Sequence, residues 1–324
     1  MRPETEGERL ILARSVAGGA AGLASLPEAD RRVRGAFLAA LLWGEVEDTS
    51  GARVAVHRRG LTVIGARIDG AVDISDLGAI DGPAPQVSLR DCTAWGGDDG
   101  FVLIATGASL LRLDLSHSRL SDVVAPGLRT VAETMFLRAT VSGGVDLTGA
   151  VIGGSLVLSG ASLMAQDGEA ALVADRADIK GAIFLRPSGG HRFEARGEVR
   201  LLGATIGSQI NASGASLTAH QGRYALVADR AEIKTDVFLS PADGHRSEVR
   251  GDARSRGTTR RSRMNGSSGC CARSAMARRR IISPATNATG SSPAASSRGG
   301  GGSGRASSAS PSGTPTARCA VSPR

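Results

Sequence analysis

Apolar and polar residues alternate along the middle of the chain in a phrase that recurs every eleven residues. In ATVSGGVDLTGAVIGGSLVLSGASL, residues 139 to 163, an alanine is followed two positions later by an aliphatic residue, and this happens three times. Alternation with a period of two is typical of an extended strand with one buried face, whereas helices need apolar residues at i, i+3, i+4 and i+7. The pattern therefore predicts short strands, and each phrase is expected to form about half of a larger coil.

The chain also repeats with a longer period near Ala150. One unit of this longer repeat runs from Ala150 to the residue before Ala177. Two blocks of equal length, 151 to 204 and 205 to 258, align without a gap, and each contains two such units. Self-similarity at a fixed spacing is the signature of a solenoid, in which each repeat buries its apolar face only against its neighbours. We therefore predict an all-β solenoid over residues 46 to 254. The positions predicted to fill its interior are Ala150, Ile152, Leu156, Leu158, Ala177, Ile179, Ile183, Leu185, Ala204, Ile206, Ile210, Ala231, Ile233, Val237 and Leu239.

Glycine and alanine have distinct predicted roles in the repeat. Gly153-Gly154 and Ser159-Gly160 are expected at corners, because glycine adopts positive φ at low cost. The alanine that opens each unit is expected to point into an interior too narrow for a larger side chain.

These phrases resemble the repeats of the pentapeptide-repeat proteins. The chain is similar to an actinobacterial group that places a short helical region before repeats such as GARIDGAVDIS, here residues 65 to 75, and GEVRLLGATIG, here residues 197 to 207. The resemblance covers residues 30 to 254 and implies a right-handed, four-sided β-helix. Since the repeat unit is longer than four pentapeptides, extra loops are expected, with 187 to 191 and 241 to 245 as the leading candidates.

The N-terminal region, residues 1 to 45, is predicted to be a helical cap. Residues 25 to 44, SLPEADRRVRGAFLAALLWG, indicate a helix, because Ser25 and Glu28 have capping-box spacing and Gly44 is a natural stop. Such a helix would cover an open sheet edge at the start of the solenoid. An amphipathic helix lying on a membrane is the alternative.

The C-terminal residues, 255 to 324, differ from the rest in composition. From Arg254 onward there are 13 Arg and no Asp, Glu or Lys, so the net charge of +8 conceals a net charge of −5 in residues 1 to 253. A segment with so few apolar residues predicts disorder, and its arginines predict salt-dependent, sequence-blind binding of nucleic acid. Two origins stay open, namely a natural basic tail and an out-of-frame product of GC-rich DNA.

One glycine-rich segment resembles a dinucleotide fingerprint. Ala17, Gly19 and Gly22 occupy its glycine positions, although alanine stands in the first of them. Such a fingerprint lies between a strand and a helix of a βαβ unit, and here one helix and then the repeats are expected to follow, which favours a flexible connection. Some members of the resembling group are named membrane-associated oxidoreductases, which implies a nicotinamide or flavin cofactor as the alternative.

Acidic and histidine residues provide the other candidate chemistry. Asp73, Asp114 and Asp146 recur in V-D-I, L-D-L and V-D-L, which favours a solvated acidic stripe over a catalytic carboxylate pair. His191 and His245 are equivalent residues two units apart, hence roughly 10 Å from each other, which is too far for both to ligate one zinc ion. No catalytic residue, metal or cofactor is therefore predicted.

The function predicted from these observations is a non-enzymatic scaffold that binds another protein, either free or at a membrane-associated assembly, with end-to-end self-association as a further option. A membrane-associated oxidoreductase and a DNA mimic are the alternatives, the latter requiring a more acidic rod than residues 1 to 253 provide. Three glutamates in MRPETEGER argue against a secretory signal, so a cytoplasmic location is expected, with peripheral membrane attachment left open.

Overall fold

Short parallel strands dominate the structure, a computed structural model that describes residues 1 to 80, 82 to 97, 100 to 220 and 223 to 254. These residues belong to one compact unit. Among them are two α-helices, α1 (Glu6–Ala17) and α2 (Gly35–Leu42), a 3-10 helix (Glu28–Arg31) and an antiparallel hairpin of strands Val46–Glu47 and Arg53–Val54. The tail predicted to be disordered, with its three cysteines, lies outside the described residues.

The remaining described strands form four parallel sheets. Sheet I contains Ala21–Gly22, Leu61–Ile64, Val87–Arg90, Leu113–Asp114, Thr134–Met135, Leu156–Val157, Ile183–Phe184, Ile210–Asn211 and Val237–Phe238. Sheet II contains Val72–Asp73, Phe101–Ile104, Arg119–Val124, Thr140–Val141, Val145–Asp146, Ser162–Met164, Ala170–Val173, Glu194–Arg196, Glu198–Arg200, Ser216–Thr218, Tyr224–Val227, Glu248–Arg250 and Asp252–Arg254. Sheet III contains Ser109–Leu110, Arg129–Thr130, Val151–Ile152, Asp178–Ile179, Thr205–Ile206 and Glu232–Ile233, and sheet IV contains Arg32–Arg34, Arg67–Asp69 and Thr93–Ala94.

Sheet II consists of two rows of strands that share strand Arg119–Val124, and these rows are called its first face and its second face below. The first residues of the shared strand pair with Thr140–Val141 of the first face, and its last residues pair with Val145–Asp146 of the second face. From this strand onward the chain passes repeatedly through sheet I, the first face of sheet II, the second face of sheet II and sheet III, and each such circuit is called a coil below. The prediction of an all-β fold made of stacked parallel strands is confirmed.

Equivalent residues of neighbouring repeat units pair directly between neighbouring coils, as the sequence period predicts. In sheet III, Ile152 pairs with Ile179, which pairs with Ile206. Twelve of the fifteen residues predicted to lie inside are buried. The other three, Ile233, Val237 and Leu239, are half-buried because they belong to the last described coil and are covered on one side only.

Alternating loops explain why the sequence repeats over two units as well as over one. The earlier coils contain fewer residues than the later ones. In sheet I fewer residues separate Leu113 from Thr134, and Thr134 from Leu156, than separate Leu156 from Ile183. The coil that begins at Leu156 has its extra loop between Ser162–Met164 and Ala170–Val173.

The next coil has its loop at a different corner, where Ser188 and His191 form a bridge. Ala242 and His245 repeat this bridge two units later. The loops expected at 187 to 191 and 241 to 245 are present, whereas the loop before Ala170 was not predicted.

The helix predicted for residues 25 to 44 is wrong over its first half. Glu28–Arg31 is a 3-10 helix, Arg32–Arg34 is a strand of sheet IV, and α2 begins only at Gly35. The strand forms because Val33 alternates with two arginines and pairs with Ile68 in the following coil. Gly44, with a φ of 69°, does lie just beyond the end of α2. The predicted cap therefore contributes strands to the sheets in addition to helices.

Gly153 and Gly154 have a different role from the predicted one. They do not adopt positive φ, unlike Gly160 at 68°. A Cβ at Gly153 would lie 2.2 Å from the carbonyl oxygen of Val131 in the preceding coil. These glycines therefore allow two coils to approach closely.

Helix α1, which was not predicted, is anchored to sheet IV by a buried ion pair. Thr5 caps the helix and accepts a hydrogen bond from the backbone N–H of Glu8. The fully buried Glu8 carboxylate accepts hydrogen bonds from Nε and Nη2 of Arg34, both at 2.8 Å, and from the backbone N–H groups of Glu4 and Arg34. Burial alone would raise the pKa of Glu8, but these hydrogen bonds outweigh it and hold the pKa below its ordinary value.

Candidate functional site

A polar cavity of about 280 Å³ opens where sheet IV meets the first face of sheet II. Its lining consists of Arg67, Asp91, Cys92, Thr93, His117 and Arg119, from three successive circuits of the chain. A second cavity of about 410 Å³ adjoins it and shares Arg67. The lining of the second cavity is completed by Glu28, Ala94, Trp95, Gly96 and Gly97.

The cavity follows from two unusual corners. Asp91 and His117 have φ values of 52° and 64°, in the left-handed region where glycine is preferred, and Gly65 occupies the same corner one circuit earlier. The buried residues that follow these corners are tied together, since the backbone N–H of Cys92 donates to Oγ of Ser118 at 2.9 Å. The strained corners therefore place a carboxylate and an imidazole at the cavity wall.

Thr93 lies between two arginines on the cavity floor. Arg67 pairs with Thr93 in the register of sheet IV, and the backbone N–H of Arg119 donates to the carbonyl oxygen of Cys92. The three residues therefore lie side by side on strands about 4.8 Å apart. Thr93 is only 8% exposed, and within the described part of the chain its hydroxyl oxygen has no hydrogen-bond partner.

Cys92 is the cysteine of the cavity, and its environment opposes reactivity. Its side chain is buried, and this burial raises the pKa of the thiol to about 12. The nucleophilic form of cysteine is the thiolate, which is scarce at neutral pH for such a group. Cys92 therefore serves as a small apolar residue in the interior.

The glycine-rich segment does not have the geometry of a dinucleotide loop. Ala17 is the last residue of α1, Gly19 follows the left-handed C-cap Gly18, and Gly22 ends a two-residue strand that pairs with Val63 and Ile64. A phosphate-binding loop precedes the N-terminus of a helix, where free N–H groups point at the anion. This segment instead follows the C-terminus of a helix and connects it to sheet I.

The three aspartates of the V-D-I type lie at separate places. Asp114 belongs to sheet I, whereas Asp73 and Asp146 belong to the second face of sheet II with two strands between them. Each carboxylate accepts a hydrogen bond from the backbone N–H two residues later, at Ser75, Ser116 and Thr148 respectively. These aspartates therefore stabilise corner turns, and the structure does not bring them together as a pair.

The histidines are dispersed as well. His191 lies in its loop with Nε2 at 2.9 Å from Nη2 of Arg138, and His220 lies with Nδ1 at 3.1 Å from the carboxylate of Asp167. His57 contacts the end of α1 through its backbone N–H. Among the residues that the structure describes, no group of three or more His, Cys, Asp or Glu side chains is placed to hold a metal ion.

Sequence reasoning missed this cavity, although a signal was present. In several coils the residue at this corner is glycine followed by alanine, as in Gly65-Ala66 and Gly160-Ala161. Asp91-Cys92 and His117-Ser118 depart from that pattern at both positions, in two successive circuits. In the sequence, each of these two pairs looks like an imperfect copy of the repeat. Only the stacking of successive circuits places the two pairs next to each other.

Two further findings concern the chain as a whole. Within the described ranges, neither helix has the length and apolar character needed to cross a bilayer. No protein-family model, curated protein or solved structure matches this chain.

Proposed function

We propose that this protein is a non-enzymatic scaffold, a right-handed β-helix of the pentapeptide-repeat type, whose outer surface binds another protein. Parallel strands joined by crossover connections are right-handed in about 98% of cases, which supports the proposed handedness. The four-sided coils and the small residues at their inner corners are consistent with the resemblance seen in the sequence.

One surface feature carries this proposal, namely an apolar row on the outer side of sheet I. Met135, Val157 and Phe184 are in register on neighbouring strands, and Phe238 continues the row after Asn211. All four apolar side chains are only half-buried. At about 4.8 Å per strand the row extends roughly 19 Å. Burying it would favour association with a partner that presents apolar side chains at a matching spacing.

The rigidity of this surface supports the same proposal. Met135, Val157 and Phe184 each follow a buried residue in the same strand, and two of these buried residues, Leu156 and Ile183, pair in register below. A preorganised surface loses little conformational entropy on binding, so more of the contact energy appears as affinity.

The test is affinity capture with a matched pair of surface variants. The first variant carries Val157→Ser and Phe184→Ser in the proposed row. The control carries Val131→Ser and Val151→Ser, which change the exposed Val131, directly after strand Arg129–Thr130, and the outer residue of strand Val151–Ile152 in sheet III. Both proteins, and the wild type, are cross-linked in lysate of the source cells, and the captured proteins are identified by mass spectrometry.

We expect one protein to be captured equally by the wild type and the control, and not to be captured by the row variant. Direct binding of that purified protein should then weaken by at least about tenfold, the effect of losing about 1.4 kcal/mol. Capture that does not differ between the two variants would refute the proposed row.

A further inference from the structure

We propose that the cavity bounded by Arg67, Thr93 and Arg119 binds a small molecule through an oxyanion group, a phosphate or a carboxylate. This site lies on a different face from the apolar row, so it is independent of the proposed scaffold function.

Two guanidinium groups provide the charge for such a ligand. Among the described residues that line the cavity are Arg67, Arg119 and one carboxylate, that of Asp91. Arg67 also lies 3.7 Å from Glu28, whose side chain is 74% exposed, and an ion pair that is so exposed is weak. Because a guanidinium has five N–H donors, the contact of Arg67 with Glu28 leaves donors of Arg67 that can reach a ligand oxygen, while Arg119 adds a second positive charge to the cavity wall.

The Thr93 hydroxyl is the second, independent observation. It is more than nine-tenths buried, lines the cavity and has no hydrogen-bond partner among the described residues. A buried polar atom left without a partner costs about 1 to 3 kcal/mol, so native structures seldom keep one without a role. A ligand oxygen between Arg67 and Arg119 would accept a hydrogen bond from the Thr93 hydroxyl and remove this cost. The His117 imidazole has a ring N–H available to the same group.

The adjoining cavity indicates the kind of molecule that carries the anion. It shares Arg67, is lined by Trp95, and is larger than the first cavity. Arg32 stacks on the Trp95 ring with its guanidinium carbon 5.5 Å from the ring centre. Small-molecule sites combine an apolar or aromatic wall with a few convergent polar groups. We therefore expect a ligand with an aromatic or aliphatic body beside Trp95 and its anionic group over Thr93.

The fluorescence of Trp95 gives a local readout, which matters because the arginine-rich residues 255 to 324 could also attract anions. In a Trp43→Phe background Trp95 is the sole tryptophan, since the chain contains two. Inorganic phosphate, phenyl phosphate and benzoate are titrated at constant ionic strength. Saturable changes are expected, with phenyl phosphate or benzoate binding more tightly than phosphate and a Kd at or below about 1 mM.

Three variants then test the assignment. Arg67→Gln should weaken the preferred ligand at least about tenfold, and the isosteric Thr93→Val about fivefold, the change that corresponds to one hydrogen bond. Arg129→Gln, an outward change on sheet III, is the charge-matched control and should bind like the parent protein. Circular dichroism confirms that each variant is folded.

The relative affinity of phenyl phosphate and benzoate identifies the anionic group, and either preference supports the site. The proposal is overturned if none of the three anions gives a saturable change in Trp95 fluorescence. It is also overturned if Arg67→Gln and Thr93→Val, folded like the parent protein, bind with unchanged affinity.

Discussion

Replacing Glu8 by Gln is expected to detach α1 from the first strands of the solenoid. The substitution keeps the size of the side chain but removes its charge and turns one acceptor oxygen into a donor. In the folded protein four N–H donors point at the carboxylate, two from the Arg34 side chain and one each from the backbone of Glu4 and Arg34. An amide cannot satisfy this set, because its own NH₂ group would face other donors.

The expected loss in the free energy of unfolding follows from the burial of the ion pair between Glu8 and Arg34. The side chain of Glu8 is fully buried and that of Arg34 is 24% exposed. Removing one partner of a buried ion pair costs about 3 to 5 kcal/mol, because it leaves the other charge without compensation. Arg34 keeps its contact with Glu4, which places the expected loss near the lower end of this range.

Glu6→Gln is the matched control on the same helix. Glu6 pairs with Arg9 at 2.9 Å, but both side chains are more than half exposed. Such surface pairs contribute about 0.2 to 0.5 kcal/mol, so this variant should resemble the wild type. Urea unfolding followed by circular dichroism gives the free energy of unfolding, and hydrogen exchange of the α1 amides reports detachment of the helix. Equal losses at Glu6 and Glu8, or a loss below about 1 kcal/mol at Glu8, would refute the assigned role.

The same pair gives a pH dependence with a definite sign. The pKa of Glu8 is lower in the folded protein than in the unfolded chain. The contribution of Glu8 to the free energy of unfolding is therefore fully present above the unfolded pKa of about 4.3. That contribution is lost as the pH falls through the folded pKa. The difference in stability between wild type and Glu8→Gln should therefore be constant near neutral pH and shrink in acid. A difference that grows as the pH falls would contradict the assignment.

Two further predictions concern the interior. Ile206→Asp puts a carboxylate at a fully buried position of sheet III and should cost about 3 to 5 kcal/mol in urea unfolding. Ser109→Asp, which faces outward beside Arg129 in the same sheet, should change stability by less than about 0.5 kcal/mol, and equal effects would show that the inward and outward faces are misassigned. Cys92, with its raised pKa of about 12, should resist iodoacetamide in the native protein and react once urea unfolds the chain, as peptide mass spectrometry can establish. Rapid native labelling of Cys92 would contradict its burial.

The N-terminal region shows how local signals can be misjudged. The segment around Val33 has the composition of a helix, yet it is a strand because it pairs with residues 67 to 69 of the following coil. Tertiary hydrogen bonding and burial of Val33 override local propensity there. In contrast, α1 did have a readable start, since Thr5 and Glu8 have capping-box spacing and Gly18 ends the helix. The run of apolar residues in α1 is short, so the hydrophobic pattern alone did not predict a helix there.

The sequence alone was sufficient for the repeating part of the fold. Alternation and the regular repeat spacing identify which residues face inward and which pair between coils, because a parallel stack places each residue next to its counterpart in the neighbouring repeat. The same logic fails for the cavity at Thr93, where Arg67, His117 and Arg119 come from circuits whose sequences depart from the repeat. Their proximity depends on how many residues each irregular circuit contains, and that number is set by corner and loop geometry. Only the tertiary structure could therefore decide which polar side chains meet at the surface, whereas periodicity was enough to determine the interior.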